Sequence, residues 1–316
     1  MGIAIGYTYR MKVLITGGGV VGTYAAKEAE GRGFTPRIFE LKPDEDSIKS
    51  VWETEDIVIG DISKKEDIEK VIEDFGPDVI VHTAALRQRM AMVDPDRARL
   101  VNVEGTRNVV EIASSKNVPL VHISSDTIYG TSLDDTITED TPLDPKTIYA
   151  ETKVEAEKIV QDYDKAIILR STSLYAPWKG AASTFNEIVR SIIYAGIEGK
   201  DFEMAVPVAE RSEQLYVKDL ASAILNAATA QNLQHKVFNV GAGRLVSYGE
   251  IADAARELFG IKVTLTDADF GKERVQSVRA VPLDITRAKE ELNYNPAFTF
   301  DKAFKYYTNT IKSWNQ

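Results

Sequence analysis

Short, β-branched apolar runs alternate with amphipathic stretches through the first half of this chain, and few folds accommodate that rhythm. Lys12–Thr16, Pro36–Glu40, Asp56–Ile59, Val79–His82, Pro119–Ile123 and Ala166–Arg170 read as strands. Between them Val20–Arg32, Lys64–Phe75, Arg97–Lys116 and Ile148–Asp164 read as helices. Strands apolar along their whole length need cover on both faces, so the pattern predicts an α/β fold with a doubly wound parallel sheet. Beyond Arg170 the rhythm loosens around Pro177 and Pro207. A helix near Val217–Ala228 and a strand near Val237–Val240 then return the chain to the main sheet. Helices near Ser183–Tyr194, Tyr248–Phe259, Arg287–Leu292 and Asp301–Ser313 predict a smaller mixed α/β C-terminal lobe. The expected division is a larger unit over 11–170, rejoined at about 213–241, and a lobe over 171–212 and 242–316.

The first strand runs straight into glycines. Gly17, Gly19 and Gly22 fit the spacing G-x-G-x-x-G at the entry to a helix, with Val20 and Val21 inside it. Such a loop tightens the turn, lets backbone N–H groups approach a pyrophosphate and lets the helix pack on the sheet. The helix N-terminus favours the negative charge. Alone the spacing is weak, since many matches are only tight turns. Glu40 strengthens it, because a carboxylate ending the second strand accepts hydrogen bonds from the ribose hydroxyls of NAD and repels the 2′-phosphate of NADP. Arg37 and Lys42 lie close by, so NADP is disfavoured rather than excluded.

A net charge of −10 argues against a general nucleic-acid binder, whose affinity rests on basic residues. There is no cysteine for disulfides or thiolate chemistry, and His82, His122 and His235 lack metal-ligand spacing, so no metal is expected. No apolar run reaches the roughly 18 residues that span a bilayer. Residues 1–10 read as an extension without the apolar region of a signal peptide, and the expected location is the cytoplasm.

Tyr149 and Lys153 stand at i and i+4 at the start of a helical stretch and share a face. A phenol loses its proton near pH ~10, and a neighbouring ammonium lowers that value, so the pair is expected to exchange a proton with an alcohol. Most Tyr-x-x-x-Lys pairs are ordinary helix surface; the segment before this one adds the information. His122-Ile123-Ser124-Ser125-Asp126-Thr127 puts hydroxyls at the carboxyl end of a buried strand, where ligands of open α/β sheets bind. Ser125 is placed there to donate to a developing oxyanion while Tyr149 handles the proton.

In order and spacing these pieces resemble the extended short-chain dehydrogenases/reductases of the NAD-dependent epimerase/dehydratase family, from about Met11 to the C-terminus. The match includes Gly60-Asp61-Ile62, His82-Thr83-Ala84-Ala85, Asn102-Val103-Glu104-Gly105-Thr106, the Ser124–Gly130 run, and Glu139-Asp140-Thr141-Pro142 leading to Tyr149 and Lys153. The resemblance implies an NAD-binding Rossmann unit and a substrate-binding lobe. It implies Gly17, Gly19, Val20, Val21, Gly22 and Glu40 on the cofactor, Asp61 and Ile62 flanking the adenine, and Thr83, Ala84, Ala85 and Asn102 along the dinucleotide. Lys153 would bind the nicotinamide ribose beside Tyr149, and Ser125, Tyr149 and Lys153 would form the catalytic set. It also implies a homodimer built on the outer faces of the helices near Asn102–Lys116 and Tyr149–Asp164. Taken alone, Asn102 reads as an ordinary helix residue.

The chain departs from the family on the substrate side. Ser173 stands where members commonly carry Asn, and Ser212, beside Arg211, where those that bind nucleotide-sugars carry Arg. Arg274 matches a second diphosphate-binding Arg without its usual Pro-Gly-Asp context. The glycine loop is one residue shorter than the usual TGGxGxxG. Asp126 resembles the acid of the dehydratases, but Thr127 replaces the neighbouring Glu, which weakens a dehydratase reading. Arg87 after the fourth strand is a candidate to hold a phosphate or carboxylate; pairing with surface acids is the competing reading. The substrate-side candidates are thus Arg87, Ser125, Asp126, Thr127, Ser173 and Arg274, and the expected substrate is a sugar or sugar derivative.

The leading reading is an NAD-dependent sugar epimerase that oxidises a hydroxyl carbon transiently. The alternative is an NAD(P)-dependent dehydrogenase or reductase of a sugar or other small hydroxy or keto compound. A third reading, of another class, is a non-catalytic dinucleotide-binding protein; the intact Ser125, Tyr149 and Lys153 set counts against it.

Overall fold

The computed structural model describes residues 9–130, 136–181, 183–208, 210–268 and 281–314. Six strands follow the expected places: β1 (Lys12–Thr16), β2 (Thr35–Glu40), β3 (Ile57–Ile59), β4 (Val79–His82), β5 (Leu120–Ser125) and β6 (Ala166–Ser171). With the strand Val237–Val240 they form one seven-stranded sheet in the order β3-β2-β1-β4-β5-β6-Val237–Val240. Every pairing in it is parallel. This is a Rossmann-type doubly wound α/β fold, as the alternation predicts.

Both faces are buried, which explains why the strands are apolar throughout. Val13, Ile15, Val79, Val81, Val121 and Leu169 face one core together with the helices Val20–Gly31 and Val217–Thr229. Leu14, Ile80, Leu120 and Ile168 face the other, covered by Lys65–Phe75, Gly105–Ser115 and Ile148–Gln161. The chain runs outward from β1 to β3 and then returns to β4, so a crevice opens between the carboxyl ends of β1 and β4. Ligands of such sheets bind at that reversal.

The helix expected over Arg97–Lys116 is three pieces: Pro95–Arg99, a π-helical turn Leu100–Glu104, and Gly105–Ser115. The wide turn carries Asn102 inward, where its side chain bonds Leu86, and a Cβ on Gly105 would sit 2.8 Å from Ile62 Cδ1. Single-turn π bulges of this sort cluster at functional sites. The hydrophobic period alone does not reveal one inserted residue.

A second core gathers Phe185, Ile192, Tyr216, Tyr248, Phe300 and Phe304. Around it Phe202–Val206 pairs in parallel with Val263–Asp267, and Arg211–Glu213 pairs antiparallel with Leu245–Ser247. These strands went unread in the sequence because they are short, partly polar and paired only in twos. Among the described residues no helix is long and apolar enough to cross a membrane.

Candidate active site

The three glycines of the loop do different things. Gly17 has φ +98°, and a Cβ there would lie 2.6 Å from the Ala84 nitrogen. A Cβ on Gly22 would lie 1.9 Å from the Gly17 carbonyl oxygen, so this glycine lets the helix press against the turn. Around Gly19 nothing lies within 4 Å of such an atom. Gly19 is also the N-cap of the helix and offers no side chain to its first N–H groups, which face an open approach. That fits a pyrophosphate.

Glu40 ends β2 beside this loop. Its carboxylate accepts from the Gly18 N–H at 2.7 Å and the Lys42 N–H at 3.1 Å, which fixes it at the mouth of the crevice. Arg37 points elsewhere: it pairs with Asp56 at 2.5 Å and lies 4.4 Å from the centre of the Phe75 ring. The nearby arginine is therefore committed to Asp56 and offers no charge to a 2′-phosphate beside Glu40. The residues present fit NAD.

Asp61 accepts from the Ser63 N–H and hydroxyl at 2.9 and 2.8 Å, and Ile62 is buried against the Gly105 turn. Thr83 donates to the carbonyls of Thr16 and Gly17 at 2.9 and 3.0 Å, tying the end of β4 to the glycine loop. Ala84 and Ala85 follow, half-buried, along the crevice. Asn102 spends its amide on the protein: it brackets the Leu86 backbone at 2.7 and 3.1 Å and donates to Thr152 at 3.0 Å. Thr152 lies between Tyr149 and Lys153, so Asn102 joins the loop after β4 to the tyrosine helix.

That helix starts at Ile148 because Thr147 accepts from the Ala150 N–H at 3.2 Å. Lys153 is buried, donates to the Ile123 carbonyl at 2.8 Å and stands 5.9 Å from the centre of the Tyr149 ring. Burial pushes its pKa down to about 8, against the pull of Glu157. Burial also pushes the Tyr149 phenol up to about 12; Asp126 adds to the rise, while a hydrogen bond with Ser125 and the charge of Arg87 oppose it. The lowering expected from Lys153 is thus not what the protein's own groups produce. The ammonium is turned to a backbone carbonyl, and desolvation of the phenolate dominates.

Ser125, at the end of β5, accepts from the Thr127 N–H and hydroxyl at 3.2 and 3.0 Å and lies 3.3 Å from Asp126 Oδ1. Ser125, Asp126, Tyr149 and Lys153 are therefore brought together at one strand end. Arg87 is exposed and forms no ion pair among the described residues. Ser173 is exposed just beyond β6, with its carbonyl accepting from the Leu215 N–H at 2.8 Å. Ser212 is half-buried, and Arg211 reaches Glu250 only at 3.8 Å. Arg274 lies outside the described residues.

Two residues that sequence reasoning passed over support the site. Arg170 at the end of β6 binds Glu157 at 2.8 Å with side-chain exposures of 5% and 2%, and it also donates to Tyr129 and to the Glu139 carbonyl. Glu157 is one turn beyond Lys153, so the pair locks the tyrosine helix to the sheet. The available signal was a charged residue ending an apolar strand, opposite a glutamate at i+4 from the lysine.

The sequence from 13 to 241 matches the model of the NAD dependent epimerase/dehydratase family. The chain belongs to that family. It is an NAD-dependent enzyme of the extended short-chain dehydrogenase/reductase type. It is 28% identical over 309 residues to a UDP-glucose 4-epimerase of Lactobacillus helveticus, covering 90% of this chain and 92% of that one. Among solved structures, the Thermus thermophilus UDP-glucose 4-epimerase complex with NAD superposes with a TM-score of 0.78 at 23% identity, over 96% of this chain and 99% of that chain. The L-threonine dehydrogenase of Clostridium difficile superposes with a TM-score of 0.85 at 20% identity, over 97% and 99%. Solved proteins named for different reactions thus share this fold.

Proposed function

We propose that this family member is an epimerase acting on a nucleotide-sugar or related sugar, with Tyr149 as its acid/base. The carrying observation is the cluster of Ser125, Tyr149 and Lys153 at a strand end on the same crevice as the open glycine loop. Gly17, Gly19, Val20, Val21, Gly22 and Glu40 would hold the pyrophosphate and adenosine half of NAD. Asp61, Ile62, Thr83, Ala84 and Ala85 would line it, and Lys153 would take the nicotinamide ribose. Asn102 serves by holding the loop that carries Ala84 and Ala85. Bound NAD supplies the hydride acceptor and a positive charge beside the phenol.

Ser125 donates to the substrate oxygen, and Tyr149 removes its proton as the carbon is oxidised, then returns it on reduction. Lys153 keeps a positive charge behind the phenol. Asp126 and Thr127 orient Ser125. Arg87 is the available cation for a phosphate or carboxylate at the mouth, with Ser173 and Arg274 as further substrate contacts. The curated relative supports the nucleotide-sugar, and Thr127 at the dehydratase glutamate position supports epimerisation over elimination.

NAD-loaded protein incubated with UDP-glucose should yield its C4 epimer by NMR with no net rise in absorbance at 340 nm. A steady rise without the epimer would instead establish a dehydrogenase. That second reading is favoured by one observation: Ser173 and Ser212 stand where nucleotide-sugar enzymes carry Asn and Arg, which removes a bidentate diphosphate contact.

The protein is proposed to be a homodimer. The outer faces of the two helices expected to meet carry Glu104, Arg107, Glu111 and Lys158, while exposed apolar residues sit one element earlier, at Met90, Met92, Val93 and Leu100. Arg99 binds Glu151 and Glu155 of the tyrosine helix, so both groups share one surface.

A further inference from the structure

His82 ends β4 and is 1% exposed. Its Nδ1 lies 2.6 Å from the hydroxyl of Thr16, the residue before Gly17. Its Nε2 lies 3.0 Å from the hydroxyl of Thr106, just past the π-helical turn. Burial, and then the charge of Lys153, push its pKa down to about 3, so the ring is neutral. On the neighbouring strand its register partner His122 is equally buried, with the two rings 5.3 Å apart. Neither ring nitrogen of His122 finds a partner among the described residues. One histidine of the pair is tied in at both nitrogens, and the other is not.

Backbone groups fix the direction in which each proton points. The Leu86 N–H donates to Asn102 Oδ1 at 2.7 Å, so Asn102 Nδ2 is the donor that reaches Thr152 at 3.0 Å. Thr152 spends its own proton on the Tyr149 carbonyl at 2.8 Å. Thr106 likewise donates to the Asn102 carbonyl at 2.7 Å, which leaves its oxygen to accept from His82. The ring therefore carries its proton on Nε2, and its bare Nδ1 accepts from Thr16. The chain runs from Thr16 through His82 and Thr106 to the Asn102 carbonyl, then from the Asn102 side chain through Thr152 to Tyr149. In it the Thr106 and Thr152 hydroxyls each donate once and accept once.

We propose that His82, protonated on Nε2, is a positioning residue that holds the glycine loop and the Tyr149 helix in one fixed register. On the placement proposed above, NAD meets both elements at once, with its pyrophosphate at the open loop and its nicotinamide ribose at Lys153. A ligand that bridges two elements binds more tightly when they are already in place. A phenol displaced by about an ångström loses turnover. The opposite tautomer would not serve, because Thr106 would then face a bare nitrogen with its proton already spent. His122, with no bond to either neighbour, does not join the chain. The effect on turnover rests on Tyr149 as the acid/base; the effect on NAD does not.

The protein has three histidines, so long-range proton–nitrogen NMR of the NAD-loaded chain reads the His82 tautomer directly. The signals of the other two are identified by their loss in His122→Phe and His235→Gln. A neutral His82 ring protonated on Nε2 is expected; a proton on Nδ1, or on both nitrogens, overturns the proposal. Thr106→Val keeps the bulk and removes the hydroxyl. It should weaken NAD about tenfold by fluorescence titration. It should also cut UDP-glucose turnover at saturating NAD about tenfold, with KM for UDP-glucose within roughly twofold of the parent. Thr106→Ser should restore both, and His122→Phe, which loses no hydrogen bond, should change neither. A Thr106→Val protein that melts lower yet keeps parental NAD affinity and turnover makes the chain a brace of the fold alone and overturns the proposal. So does a loss that Thr106→Ser leaves unrestored, or one that His122→Phe matches. If the parent turns over no UDP-glucose, the nucleotide-sugar reading fails by itself, and the tautomer and NAD affinity decide the role of His82.

Discussion

From the protein's own groups, the Tyr149 phenol is held neutral at pH 7, its pKa pushed up to about 12 by burial and then by Asp126. The free value is 10.0, so the fold favours the neutral form. That contribution to stability is full below pH ~10 and is lost as pH rises through about 12. On the role proposed for Tyr149, an alcohol proton would have no ready acceptor until further positive charge came near, which would couple proton removal to the presence of NAD. In protein stripped of NAD, the tyrosinate absorbance of the parent minus that of Tyr149→Phe should show no phenolate below pH ~11. A phenolate already formed at pH 8–9 would mean that Lys153 alone sets the proton affinity.

The glycine loop separates folding from binding within a single turn. Gly22→Ala places a methyl against the Gly17 carbonyl and should lower stability by roughly 2–4 kcal/mol, read by denaturant unfolding. Gly19→Ala meets nothing in the fold, so it should melt close to the parent yet lose most NAD affinity, read by fluorescence titration. Equal loss of stability from both would contradict the assignment of Gly19 to the ligand. Elements of this kind were legible in the sequence because period and punctuation announce them: the strand Lys12–Thr16, the glycines and the helix after them fall where expected. The π-helical turn at Asn102 was hidden, since one extra residue barely disturbs an apolar stripe. The short paired strands near 202–213 and 245–267 depend on partners distant in sequence, which no local pattern carries. The gathering of Ser125, Tyr149 and Lys153 at one strand end follows the spacing read in the sequence, while the Arg170–Glu157 lock emerges only when β6 meets the tyrosine helix.

At the scale of the whole molecule, the described residues hold two separate cores, bridged where Leu174–Tyr175 pairs with Leu215–Tyr216. The exposed apolar residues Met90, Met92, Val93 and Leu100 share a surface with the tyrosine helix, the face proposed to pair two copies. Light scattering should give a mass near twice 35.0 kDa, and Leu100→Glu should bring it to that of one chain. A parent that scatters as a single chain would reject the dimer. The chemistry itself is tested most directly by turnover of UDP-glucose in NAD-loaded Tyr149→Phe. Loss of the phenolic hydroxyl should cut turnover by about 10²–10⁴-fold while NAD binding stays within roughly twofold of the parent. Turnover unchanged in that variant would contradict the account.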